Sequence, residues 1–317
     1  LTSGAQIVRN VKLTIREVLE VTPTSSYHLE GFQGGPFSPA YRTYTLHNGG
    51  VDPLEWSSAA PAWLEVSPNT GTINAGQSVD ITVSPSIAAE TLTPGTYAEP
   101  IVFENDSFGT SQHFPANILV KERLGFDPQA RFVSRGLQGG PFAPSAATYV
   151  LRNLSDTESI AWSTLPGDAP AWISITPDSG TLAPLSSVTL EAAVNTAANG
   201  LAVGDYPDII SVHNNTYGTT LSQDVLLRVK DVVYVDMNAA GPAHDGTSWG
   251  SAFLSLQEGI DAAAPAKSWV WAADGAYAET LVMAEGVELY GGFDGAPTLE
   301  TTMAQRDPAA NEAIVDA

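Results

Sequence analysis

The residues able to do chemistry are thinly spread, and their types point to binding before catalysis. Asp236 and Asn238, two residues apart, and Asp245 beside Gly246 supply hard oxygen donors around turns, the ligand type that Ca²⁺ takes. Asx caps of a loop account for the same residues without a metal, and EF-hand spacing is absent. Trp63 and Trp172 each follow a Pro-Ala pair, and such indoles serve either as core or as flat platforms for a sugar ring. The five histidines (His28, His47, His113, His213 and His244) form no His-x-His or His-Glu-x-x-His, which argues against zinc. No Gly-x-Ser-x-Gly elbow or phosphate-binding loop occurs. Arg306-Asp-Pro308 reads as a loop tether rather than a catalytic couple. Asn105, Asn153 and Asn214 each open an Asn-x-Ser/Thr triplet, but these are also the residues a turn needs to bond its own backbone, so they read as turns. The expectation is a chain with no enzymatic activity of its own and no cofactor, Ca²⁺ at 236, 238 and 245 being the one ion considered.

The elements that must carry these residues are strands. Tyr44 and Leu46 alternate with Thr43, Thr45 and His47, and Val79, Ile81 and Val83 alternate with Asp80 and Thr82. Period-two alternation with one apolar face means half-buried strands, and Asn48-Gly-Gly50, Ala75-Gly76 and Pro94-Gly95 supply the turns between them. Trp56 shares a face with Leu54, and Trp162 with Ile160, so these two indoles are expected in a core. For Trp63 and Trp172 the alternation leaves both readings open. Leu64 and Val66, like Ile173 and Ile175, form the inward pair, which turns the preceding indole outward. A ring folded over the sandwich end fits as well, and packing is favoured.

The whole passage is written twice. Gln33-Gly-Gly-Pro-Phe37 returns as Gln138-Gly-Gly-Pro-Phe142, an offset of 105. Pro61-Ala-Trp63 returns as Pro170-Ala-Trp172, an offset of 109. That period suits a small domain, not a solenoid turn. Six or seven strands and no helix in each copy predict an all-β chain with two tandem immunoglobulin-like sandwiches. The 317 residues carry no cysteine, no stretch of about 20 apolar residues, and a formal net charge of −22. Such an acidic balance argues against nucleic acid and anionic lipid as partners. The abundance of Thr, Ser, Gly, Pro and Asn fits an extracellular or cell-surface protein.

The succession Asn-x-Gly, Pro-Leu-x-Trp, Trp-Leu-x-Val-Ser-Pro-x-x-Gly-Thr, Ala-Gly-x-Ser-Val and Pro-Gly-Thr-Tyr, between Asn48 and Tyr97, resembles the bacterial BACON-type repeats. The resemblance implies modules of secreted and surface proteins that sit beside carbohydrate-active or adhesive domains. The second copy departs from it at Leu185 and at Val203-Gly-Asp-Tyr206, both in turns.

After Asp231 the pattern changes. Phe253, Leu256, Ile260 and Ala263 recur at helical spacing until Pro265, and short strands follow at 269–271, 280–283, 287–290 and 313–315. Tyr234-Val-Asp-Met-Asn238, Asp245-Gly-Thr-Ser-Trp249, Leu256-Gln-Glu-Gly-Ile-Asp-Ala262, Leu289-Tyr-Gly-Gly-Phe293 and Gln305-Arg-Asp-Pro-Ala-Ala-Asn311 resemble the entry to a right-handed parallel β-helix of the pectin-lyase-like class. The resemblance implies a capping α-helix and the first coils, while lyases of that shape also need basic groove residues. Here only Lys267 and Arg306 stand against thirteen acidic residues, a net of −11.

The expected organisation is a closing strand of a preceding repeat at 1–18, sandwiches at 19–122 and 123–231, and a cap with first coils at 232–317. The expected role is a structural or adhesive stalk presenting a β-helix; the alternative is the accessory front end of a carbohydrate-active enzyme. Expected partners are adjoining domains, further copies of the chain, or extracellular glycans. Val11, Leu13 and Ile15, which match the last strand of each repeat, are expected to donate a strand to a neighbouring copy in head-to-tail filaments.

Overall fold

The computed structural model describes residues 18–165, 167–295 and 299–316. Val11, Leu13 and Ile15 lie outside the described residues. The chain divides into two compact units, Leu1–Arg123 and Leu124–Ala317.

Among the described residues the first unit holds ten strands. They are β1 (Leu19–Thr22), β2 (Tyr27–Phe32), β3 (Phe37–Ser38), β4 (Arg42–Asn48), β5 (Leu54–Ala59), β6 (Leu64–Ser67), β7 (Thr70–Ile73), β8 (Ser78–Pro85), β9 (Gly95–Asn105) and β10 (Thr110–Lys121). A four-stranded sheet runs β1-β4-β8-β6 and a six-stranded sheet runs β3-β2-β10-β9-β5-β7. Pairing is antiparallel except between β2 and β10, which run parallel from Tyr27 beside Ala116 to Phe32 beside Lys121. Alternation decides the faces: in β4, Tyr44 and Leu46 are buried while Thr43 is exposed. Tyr44, Phe103 and Phe114 meet at centroid distances of 5.4–5.6 Å in the tilted and edge-on arrangements aromatic rings prefer.

The second unit begins with the same sandwich. Its strands are β11 (Leu124–Asp127), β12 (Phe132–Leu137), β13 (Phe142–Ala143), β14 (Ala146–Asn153), β15 (Ile160–Ser163), β16 (Ile173–Thr176), β17 (Ser179–Leu182), β18 (Ser187–Val194), β19 (Gly204–Asn214) and β20 (Thr219–Lys230). The sheet orders are β11-β14-β18-β16 and β13-β12-β20-β19-β15-β17, so every strand has its counterpart ten numbers earlier. Again the one parallel pairing joins the second strand to the last, β12 to β20. The count of ten exceeds the expected six or seven because two-residue hairpin strands and short edge strands leave no period-two signature. A one-turn helix, α1 (Ile87–Glu90), and a 3₁₀ turn at Thr196–Gly200 occupy the same loop in the two copies, capped by Ser86 and Asn195.

Close packing explains two of the repeated glycines. Gly31 and Gly136 face the hairpin strands β3 and β13, where a Cβ would stand 2.5 Å from Pro36 O and 2.3 Å from Pro141 O. No side chain fits there.

The rest of the second unit pairs its strands in parallel. β21 (Val232–Val235), β22 (Trp269–Ala273) and β24 (Glu288–Phe293) form one sheet, and β23 (Gly275–Tyr277) pairs with β25 (Ala313–Val315). Helix α2 (Leu256–Ala263) buries Leu256, Ile260 and Ala263. Its first turn is satisfied twice: Ser255 accepts from Glu258 N, and the Glu279 carboxylate accepts from Leu256 N and Gln257 N. The expected strand at 280–283 is not formed. Instead the Gln257 amide accepts from Val282 N at 2.7 Å and donates to Val282 O at 3.2 Å, doing for one residue what a neighbouring strand would do.

Candidate functional site

The tryptophans settle first. Trp56 and Trp162 are both 2% exposed and pair across from Gly71 and Gly180, where a Cβ would approach the indole nitrogen to 3.2 and 3.1 Å. Trp63 and Trp172, the candidate sugar platforms, are 4% and 5% exposed and belong to the two sandwich cores. The platform reading is therefore corrected. Both indoles precede β6 and β16 in a tight turn, Leu64 N donating to Pro61 O and Ile173 N to Pro170 O, so strand alternation does not govern them.

The calcium candidates are likewise used by the backbone. Asp236 is buried and its carboxylate accepts from Asn238 N, while exposed Asp245 accepts from the amide and hydroxyl of Thr247. Those Thr247 bonds, with help from Ser251, hold the Asp245 carboxyl below the usual aspartate range. The two carboxylates cap their own turns. Among the described residues no group of three or more His, Cys, Asp or Glu is placed to hold a metal ion.

The triplet asparagines are structural too. Asn153 donates to Glu158 O, Leu182 O and Ala183 O and accepts from Ser155 N; its counterpart Asn48 donates to Asp52 O and Ile73 O and accepts from Gly50 N. His213 lies between Asp168 and Thr220, each at 3.0 Å, a chain of side chains that ties a loop to the edge of β19.

Sequence reasoning missed a cavity with room for a ligand. Within the second unit a cavity of about 600 Å³ lies between the β12–β13 hairpin and the parallel sheet. Leu137, Gly140 and Pro141 form one wall; Trp269, Tyr290 and Met303 form the other. Trp269 and Tyr290 meet edge to face at 5.6 Å, and among the described residues the buried Trp269 Nε1 has no hydrogen-bond partner. Arg135 at the rim forms an ion pair with Glu288, whose other oxygen accepts from the Tyr290 hydroxyl. Burial, reinforced by Glu288, pushes the Tyr290 phenol up to about 12. Nearby, Lys230 Nζ donates to Lys267 O at 2.7 Å, and burial lowers its pKa. The alternation of Trp269 and Trp271 around Val270 was the sequence signal, though it gave no clue that Tyr290 and the repeated Gly-Gly loop would join them.

Two sheets of this order, present twice in succession, define a tandem immunoglobulin-like β-sandwich protein. The chain belongs to the viral BACON domain family, whose model matches residues 18–112 and 143–226. No curated protein sequence matches the chain. Among solved structures it is similar to a protein of unknown function from Porphyromonas gingivalis W83, at 12% identity over 67% of this chain and 100% of that one, with a TM-score of 0.27. It is also similar to PapD-like domain 7 of human CEP192, at 14% identity over 38% of this chain and 99% of that one, TM-score 0.28. A third is the CsuC–CsuE chaperone–tip adhesion subunit complex of Acinetobacter baumannii, at 12% identity over 68% of this chain and 100% of that one, TM-score 0.27. Scores this low transfer no function. Among the described residues no helix is long and apolar enough to cross a membrane.

Proposed function

We propose that this chain is a non-catalytic spacer of an extracellular or surface-exposed protein, in which two BACON-type sandwiches precede and present a right-handed parallel β-helix. The observation that supports the β-helix is the stacking of its strands. β22 and β23 follow one another around a bend and are covered by β24 and β25, Trp269 lying beside Glu288 and Gly275 beside Ala313. Two successive rungs, β22–β23 and β24–β25, thus give one strand to each of two parallel sheets, and parallel crossovers are right-handed in nearly all proteins. α2 packs beside β21 and β22 as a cap. The family description, a viral domain, supports a virus particle as well as a cell as the carrier in this reading.

The spacer reading expects no turnover of acidic or neutral polysaccharides by the chain and no specific retention on a glycan array. Measurable bond cleavage overturns it. Glycan retention without cleavage moves the chain to the accessory front end of a carbohydrate-active enzyme.

A further inference from the structure

The two sandwiches differ at one buried position in a way that bears on the cavity. In the first repeat Arg123, two residues beyond β10, is 3% exposed. Its Nε donates to Gln33 O and its Nη2 to Gly35 O, both at 2.5 Å, and its guanidinium carbon lies 5.8 Å from the Phe32 ring centroid. The loop that receives it is shaped by two successive left-handed glycines, Gly34 and Gly35, at φ +82° and +73°. Planar guanidinium with its fixed fork of donors suits a pair of carbonyls and an aromatic neighbour.

The second repeat keeps the loop and lacks the arginine. Gly139 and Gly140 have φ of +90° and +81°, and Gln138 and Gly140 stand where Gln33 and Gly35 stand. Val232, two residues beyond β20, takes the position of Arg123. Leu137 replaces Phe32. The cavity is lined by these same residues, Leu137 and Gly140, and the aromatic surface that Phe32 supplied in the first repeat is now supplied by Trp269 and Tyr290. We propose that this cavity is an arginine seat, receiving from a partner polypeptide the guanidinium that the first repeat provides from its own chain.

Charge at the cavity is balanced, since Arg135 of its lining is paired with Glu288, and the selection of that occupant rests on the aromatic wall and on the match to the Arg123 seat of the first repeat. The two arginines already present are engaged: Arg135 with Glu288, and Arg306 over the Tyr290 ring at 5.7 Å while donating to Gly291 O. Cation–π attraction at Trp269 or Tyr290, with the backbone of Gly140 on the facing wall, selects a guanidinium over a neutral side chain of the same shape.

The test uses the full chain and N-acetyl-arginine amide, followed by tryptophan fluorescence and by amide chemical shifts. N-acetyl-citrulline amide is the isosteric neutral control and N-acetyl-lysine amide the unforked cation. Saturable binding of the arginine probe, with both controls weaker by roughly tenfold or more, is expected. Ala304→Trp, at an exposed position on the cavity mouth, should abolish the binding while circular dichroism stays unchanged. Equal binding of citrulline, equal binding of lysine, absence of arginine binding up to tens of millimolar, or binding that survives a folded Ala304→Trp protein each overturns the proposal.

Discussion

The first and second sandwiches share every strand pairing described above but not every core residue, and one of the differences is offset by a neighbour on another strand. In the first, Phe114 joins Tyr44 and Phe103 in an aromatic cluster. In the second the corresponding residue is Gln223, buried at 4%, whose amide donates to Phe126 O at 3.3 Å. Phe126 itself stands where the first repeat has Val21, and its ring packs on Tyr149 at 5.1 Å. Two rings have been lost, Phe114 to Gln223 on the last strand and Phe103 to Val212 on the strand before it, and one has been gained on the first. The ring at Phe126 offsets part of that loss, as interiors packed to crystal density require of neighbouring side chains.

The largest expected effects test what the copies share. Trp56→Ala and Trp162→Ala should each cost about 3–5 kcal/mol of the stability of their own unit, measured by denaturant unfolding. A loss under about 1 kcal/mol in one repeat alone would break the equivalence of the two indoles. Next comes the exchange itself. Phe114→Gln removes a ring and buries an amide in the cluster of Tyr44 and Phe103, and should cost about 3 kcal/mol or more. Gln223→Phe crowds Phe126 and Tyr149 and should cost about 1–3 kcal/mol. Equal costs for the two substitutions would show that the compensation is not local. Gly31→Ala and Gly136→Ala should lose about 1–3 kcal/mol each, because the carbonyls of Pro36 and Pro141 leave no space for a methyl group.

The smallest effect separates the copies by pH. Tyr27 has Phe132 as its counterpart, so the first sandwich holds a buried phenol where the second holds none. Burial first, then Tyr44, pushes the Tyr27 phenol from 10.0 up to about 12. A raised folded pKa contributes stability that is complete below 10 and is lost as pH rises through 12. Tyr27→Phe should therefore flatten the alkaline loss of stability of the first unit over that window. An unchanged pH profile in Tyr27→Phe would assign the loss to Tyr44, which burial also raises.

The sandwiches were legible in the sequence because two copies could be read against each other and because period-two alternation survives in every long strand. Trp56 and Trp162 were placed correctly by that rule. For Trp63 and Trp172 the rule left two readings, and the favoured one, packing, is what the structure has: a prolyl turn precedes each and the indole folds back where a strand would have turned it outward. The Asx-cap reading of Asp236 and Asp245 was legible because short carboxylates in turns accept from amides of their own, Asn238 N and Thr247 N. Beyond residue 231, α2 was legible from its spacing, whereas the strand expected at 280–283 was not formed because a single glutamine amide satisfies that backbone. The cavity was signalled only by the Trp269-Val-Trp271 run on one wall, since its two walls come from residues more than a hundred positions apart.

The parallel pairing of second and last strands has a mechanical consequence. In each sandwich the chain enters along β1 or β11, and its second strand, β2 or β12, lies beside the last, β10 or β20, pointing the same way. Tension carried past the first strand therefore pulls these neighbours past each other lengthwise. Their six paired residues are loaded together in shear, and none can be peeled off one at a time as in a hairpin unzipped from its open end. Such a patch yields only when all of its bonds fail at once, so each sandwich resists stretching far better than its modest core alone would suggest.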